Sequence, residues 1–134
     1  LMRQVVKMID VQCKHPPATA QELVNAYLTI HLGITNVHPY ADGNGRLARL
    51  VANLPILRAG QPPLLIDKRA RREYLCLLGD YCLLRGQPKP GEALLGSDAA
   101  VASLRSLAAF LQEQWKPTLD AVASAHARQA ERGT

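Results

Sequence analysis

Helical periodicity in this chain is interrupted most sharply at His38-Pro39-Tyr40-Ala41-Asp42-Gly43-Asn44-Gly45-Arg46, with Arg49 three residues on. The glycines at 43 and 45 force a tight turn, and a new helix has to start at Asn44. The segment also concentrates chemistry, placing a possible general base, a carboxylate, an amide and two arginines within twelve positions. Oxyanions are held by N–H donors and guanidinium forks, and a divalent cation takes carboxylate oxygen. A hydroxyl nucleophile needs a nearby imidazole. The segment reads as an active site for a polyphosphate–metal complex.

Helices are expected on both sides of it. Val5, Met8, Ile9 and Val11 give residues 2–13 near-helical spacing, ended by His15-Pro16-Pro17. Thr19-Ala20-Gln21-Glu22 has the form of a capping box, opening a helix with Leu23, Ala26, Tyr27 and Ile30 on its apolar face. Gly33 supplies its stop, and Ile34 to Val37 form a connector. The helix from Asn44 is expected to reach about Arg58, burying Leu47, Leu50, Val51, Leu54 and Leu57, with a kink or break at Pro55. Ala59 to Pro63 is a turn, and a helix from Lys68 to Leu84 presents Tyr74, Leu77, Leu78 and Tyr81 on one face. Gly86 to Gly96 is a Pro/Gly loop, after which Ser97 and Asp98 cap a helix with Val101, Leu104, Leu107, Ala108, Leu111 and Trp115 inward. Pro117 is expected to bend or interrupt it, leaving a final helix that frays.

These elements define an all-α fold in one domain over residues 1–134, without internal repeats. The chain's 134 residues suffice for a real core. Leu and Ala dominate its apolar half, and β-branched and aromatic residues are few. The formal net charge of +5 does not form a basic stripe with interleaved aromatics, so nucleic acid is not the expected partner. Lys68, Arg69, Arg71 and Arg72 read as a solvated helix face. Cys13, Cys76 and Cys82 lack metal-ligand spacing and read as buried free thiols of a reducing, cytoplasmic compartment. Neither a secretory leader nor an apolar run of membrane-spanning length is evident. Leu1 stands inside an uncapped helix, as in an excised piece of a longer protein.

The first N–H groups of the helix at Asn44 have no intrahelical partner, and its dipole is positive at that end. Gly43 and Gly45 let a phosphate approach the backbone closely. Arg46 and Arg49, one turn apart, can both reach back to a bound anion. Asp42 would repel that anion unless a cation such as Mg²⁺ bridged the two. His38 is suited to take a proton from an attacking hydroxyl, giving phosphoryl or nucleotidyl transfer. His38 and Asp42 could instead both ligate a transition metal, although a third ligand is not evident. Arg49 could simply pair with Asp42, and His31 reads as a hydrogen-bonded core residue. The Gly43-to-Ala48 run formally fits a dinucleotide fingerprint, but no strand precedes it, and a Walker loop needs a longer glycine spacing.

The run from His38 to Arg46, with Arg49, resembles the signature of Fic-domain proteins: His-Pro-Phe, any residue, Asp or Glu, Gly-Asn-Gly-Arg, two residues, Arg. His31, seven residues earlier, together with Leu54 to Pro63 and Arg72-Glu73-Tyr74, extends the likeness over about residues 2–84. The remainder, helices over 97–134, matches only as further helix. The resemblance implies a helical domain with the active-site loop at the N-terminus of a central helix. It also implies transfer of AMP from ATP, with Mg²⁺, to a Ser, Thr or Tyr hydroxyl of a target protein. Carried over by position, His38 is the base, Asp42 holds Mg²⁺, and Gly43, Asn44 and Gly45 line the anion hole. Arg46 engages the β- and γ-phosphates, Arg49 assists, and Tyr40 stands where a Phe anchors the loop in the core. On this basis His38, Asp42, Asn44 and Arg46 form the catalytic set.

The chain also departs from the family. Its β-hairpin flap, which aligns the target segment by strand addition, is missing or lies before Leu1. The inhibitory pattern of Ser or Thr, three residues, then Glu and Gly or Asn is not found, so an inhibitory element would come from a separate partner. Two other functions stay open. One keeps the site but transfers a phosphoryl, UMP or phosphocholine group, although Gly45, where a kinase-like branch has Lys, favours AMP over the phosphoryl version. The other is a non-catalytic nucleotide- or protein-binding module. A cytoplasmic location, or delivery into a host cytoplasm, is the expected setting.

Overall fold

A computed structural model describes residues 1–14, 19–86 and 100–133. Among them are six α-helices and no strand: α1 (Met2–Lys14), α2 (Ala20–Val37), α3 (Asn44–Ala52), α4 (Leu54–Arg58), α5 (Arg71–Arg85) and α6 (Val101–Arg132). A 3₁₀ turn, Lys68–Ala70, leads into α5. The all-α expectation holds. The terminator at His15-Pro16-Pro17, most of the Gly86–Gly96 loop and the Ser97/Asp98 cap lie outside the described residues.

Helix α2 is the centre of the fold, packed by α1, α3, α4 and α6. Thr19 caps it, its Oγ1 accepting from the Glu22 N–H at 3.2 Å. Leu23, Val24, Ala26, Tyr27, Leu28, Ile30, Leu32 and Ile34 are all buried, so this helix is apolar around most of its circumference. Gly33 does not end it. A Cβ at Gly33 would stand 3.1 Å from Met8 Sδ, so the glycine gives α1 room to pack against α2. The helix continues through the expected connector and ends at His38, whose N–H bonds Ile34 O at 2.9 Å.

The break near Pro55 is present, with Asn53 joining α3 to α4. The face turned inward is not the predicted one. Ala48, Ala52 and Ile56 are fully buried, whereas Leu50, Leu54 and Leu57 are exposed and Leu47 and Val51 only half-buried. Volume explains the choice: α2 is apolar and closely packed against α3, and small residues let α3 approach it. Asn53 is a buried polar clamp on the chain that follows. Its Nδ2 donates to Arg49 O and Leu64 O, each at 3.1 Å, and its Oδ1 accepts from the Leu64 N–H at 2.7 Å. Asn53→Ala would orphan the buried Leu64 amide. The expected loss is about 2 kcal/mol, read as a lower urea midpoint at unchanged m-value.

Tyr74 and Tyr81 of α5 are buried, with Leu77 and Leu78 half-buried beside them, as their spacing predicts. Asn36 Nδ2 donates to Tyr81 Oη at 2.9 Å, tying α5 to α2. Cys76 and Cys82 are exposed and only Cys13 is buried, correcting the expectation for the first two. Val11 is exposed as well, the core side of α1 being carried by Val5 and Cys13.

Helix α6 buries Leu107, Phe110, Leu111 and Trp115, and the indole N–H donates to Pro62 O at 2.9 Å. Val101 is 37% exposed rather than inward. Pro117 does not interrupt the helix, which runs unbroken to Arg132. The carbonyl deprived of its donor is that of Glu113; both residues are exposed, so water can satisfy it. No helix among the described residues is long and apolar enough to cross a membrane.

Candidate active site

The loop from His38 to Gly43 joins the C-terminus of α2 to the N-terminus of α3. His38 caps α2 with φ 52° and ψ 59°, the left-handed region that a residue with a Cβ rarely enters. The conformation reverses the chain at once, and Pro39 then restricts it further. His38 itself is exposed. Strain of this kind persists only where the surroundings enforce it.

Enforcement comes from Asn44. Its side chain, on a residue only 5% exposed, accepts from the Tyr40 N–H at 3.0 Å and donates to Tyr40 O at 2.6 Å. One amide thus staples both backbone groups of Tyr40 to the first turn of α3. The Tyr40 side chain does not anchor the loop: it is 59% exposed, correcting the expectation carried by its Phe-like position. The backbone bonds to Asn44 do that work, leaving the ring outside. Asn44→Ala should cost about 2 kcal/mol, and exchange of the Tyr40 amide proton should accelerate while α2 amides stay protected.

Gly43 is the N-cap of α3, with φ 80°. Its carbonyl accepts from the Leu47 N–H at 3.0 Å, so the N–H groups of Asn44, Gly45 and Arg46 precede the first intrahelical bond. These donors, with the positive end of the dipole, are the groups the expected anion cradle would use. Asp42 Oδ1 accepts from the Gly43 N–H at 2.8 Å, which fixes the carboxylate at the rim. Asp42 is exposed and contributes hard oxygen, the donor type that Mg²⁺ takes alongside phosphate and water. The residues present fit that ion. No group of three or more His, Cys, Asp or Glu side chains suited to a transition metal occurs among the described residues.

Arg46 is exposed in the first turn. Arg49 is half-buried and reaches back along the helix, as its spacing suggested; a Cβ on Gly45 would lie 3.2 Å from its Nη1. Its Cζ stands 5.9 Å from the centroid of the Tyr74 ring, a cation–π contact. Among the described residues no ion pair joins it to Asp42. Tyr74 Oη is 2.7 Å from His31 Nε2, and His31 stacks on Tyr27 with centroids 5.9 Å apart. His31 is therefore the hydrogen-bonded core histidine that its position predicted. Burial, with a smaller push from Arg49, lowers its pKa to about 4, so the ring is neutral. Burial pushes the Tyr74 phenol up, and the neighbouring Arg49 guanidinium pulls the other way.

Sequence reasoning had placed Tyr74 and His31 in the core without linking them to Arg49. The available signal was a polar residue on each of two apolar helix faces. A cavity of about 140 Å³ adjoins this cluster, lined by Arg49, Ile66, Asp67, Lys68, Arg71, Tyr74 and Leu75. Lys68 and Arg71 thus border the same cavity as Arg49.

Comparison with known proteins finds similarity over the segment that carries this loop. The model of the Fic/DOC family matches residues 2–56, from α1 through the loop and α3 into α4. Proteins named protein adenylyltransferase Fic from Drosophila mojavensis, Drosophila grimshawi and Drosophila melanogaster are 43% identical over 51 residues. That stretch is 38% of this chain and 10–11% of each relative's length. No solved structure matches the chain significantly. Over residues 2–56 the chain is similar to the Fic/DOC family.

Proposed function

We propose that the chain carries the active site of a protein adenylyltransferase, which transfers AMP from ATP to a hydroxyl side chain of another protein. The observation that carries this reading is the stapled turn. Asn44 fixes the backbone so that the N–H donors opening α3 converge beside Arg49, with a strained histidine at the other end of the same loop. The names of the relatives support the choice of AMP.

In this mechanism the cradle of Asn44, Gly45 and Arg46 N–H groups holds the phosphates, and the Arg46 and Arg49 guanidinium groups offset their charge. Asp42 would hold Mg²⁺, which supplies further charge neutralisation on the phosphates when bound. His38 accepts the proton of the target hydroxyl as its oxygen attacks the α-phosphorus. A new P–O bond forms, the bond to the bridging oxygen breaks, and pyrophosphate leaves. The product is a phosphodiester between AMP and the target side chain. Because the cradle is prebuilt, little reorganisation is needed at the moment of transfer.

Calorimetric titration with ATP, with and without Mg²⁺, tests the binding half of the proposal. Saturable binding that strengthens with Mg²⁺ and weakens at least tenfold in Arg46→Ala is expected, since a charge-assisted contact is worth about 1.5–3 kcal/mol. Binding indifferent to both Mg²⁺ and Arg46 would count against it.

A further inference from the structure

A guanidinium on a long flexible stem is useful at a phosphate site only if something aims it. Arg49 is aimed by groups that the phosphate chemistry itself does not use. Its Cζ lies over Tyr74, the phenol of Tyr74 meets His31 Nε2 at 2.7 Å, and His31 Nδ1 lies 3.5 Å from Thr35 Oγ1. Tyr74 is 4% and His31 2% exposed.

The contacts run in series. The Arg49 guanidinium lies over the Tyr74 ring, its Cζ 5.9 Å from the centroid. The phenol of that ring is hydrogen-bonded to His31 Nε2, and the Thr35 hydroxyl, which donates to His31 O at 2.9 Å, is held beside the imidazole. The relay runs from Arg49 through Tyr74 and His31 to Thr35.

We propose that Tyr74 and His31 are positioning residues for Arg49. They form a buried relay across α5 and α2 that holds the guanidinium over Gly45, at the mouth of the cradle. Its functional consequence rests on the nucleotide reading of the loop, whereas the positioning itself does not. A phenylalanine and a leucine would pack this core without buried polar groups to satisfy, so packing alone does not explain the pair.

The test uses Tyr74→Phe, His31→Leu, His31→Gln, Arg49→Ala and the Tyr74→Phe/Arg49→Ala double variant, each with its melting temperature. Nitrogen-15 NMR of the Arg49 Nε–H reports its surroundings without any ligand. The relay predicts a protected, ring-shifted signal in the wild type that moves toward the solvent position in Tyr74→Phe and His31→Leu. His31→Gln, which keeps a polar partner for the phenol, should restore it in part. Calorimetry with Mg-ATP should show Tyr74→Phe about fivefold weaker, as for one lost hydrogen bond, with no further loss once Arg49 is already alanine. An Arg49 signal unmoved in both variants overturns the proposal. So does a Tyr74→Phe loss that adds fully to that of Arg49→Ala. Failure of the wild type to bind Mg-ATP would instead remove the nucleotide reading, and the Arg49 signal alone would decide the positioning claim.

Discussion

His38→Ala is expected to slow AMP transfer by roughly 100- to 10,000-fold while leaving Mg-ATP affinity almost unchanged, the span of a lost general base. The split follows from the site's layout. In the proposed mechanism the phosphates are held by the N-terminus of α3 with Arg46 and Arg49, whereas His38 belongs to the end of α2. Stability should hold as well, because the imidazole is exposed. Alanine inherits the left-handed backbone and the strain with it; His38→Gly would relieve that strain and be equally inactive. Single-turnover rates on a fixed target, with calorimetric affinities alongside, separate the two effects. Full activity in both variants would exclude His38 as the base.

Acidification should destabilise the fold through His31 even though nothing at the surface changes. Burial, then the Arg49 charge, lowers the folded-state pKa from its ordinary 6.5 to about 4. Between these values the unfolded chain takes up a proton that the folded chain refuses, so stability falls as pH falls through that window. The shift corresponds to roughly 3 kcal/mol lost between pH 7 and pH 4, at about 1.4 kcal/mol per pKa unit. The groups facing the ring from other elements are the Tyr74 phenol of α5 and the Arg49 guanidinium of α3; Tyr27 and Thr35 flank it on α2. None of them offers a carboxylate to stabilise an imidazolium. Urea melts at intervals from pH 7 to pH 4 should show the decline in the wild type and a flatter profile in His31→Gln. Equal slopes would assign the decline to other groups.

Features encoded locally were legible in the sequence. Thr19 caps as its spacing predicts, the chain breaks where Pro55 removes a donor, and the two glycines open α3 at Asn44. Features that depend on a neighbour were not. Gly33 carries the same local signal as a terminal glycine, and only the approach of α1, with Met8 against it, shows that the helix passes through. The α3–α4 sequence offers two stripes, one of Leu47, Leu50, Leu54 and Leu57 and one of Asn44, Ala48, Ala52 and Ile56. Hydrophobicity favours the first; the space beside α2 admits the second. Pro117 shows the reverse case, a strong local breaker overridden where the orphaned carbonyl faces water.

The proposed site residues, from His38 to Arg49, stand out in the sequence by chemical type and spacing. Their supports were less evident. Tyr40 read as an anchor by its side chain and proved to be held by its backbone. The partners of Arg49 come from 18 residues upstream and 25 downstream in the chain, separations that no local pattern encodes.

The central claim is tested most directly by incubating the chain with Mg²⁺ and ATP labelled at either the α- or the γ-phosphate, using a cell lysate as the target pool. Covalent protein label from the α position only, absent in His38→Ala, is the predicted result. Label from the γ position only would make the same loop a phosphoryl transferase. Label from neither position, in a sample shown to bind Mg-ATP, would contradict adenylyl transfer by this chain.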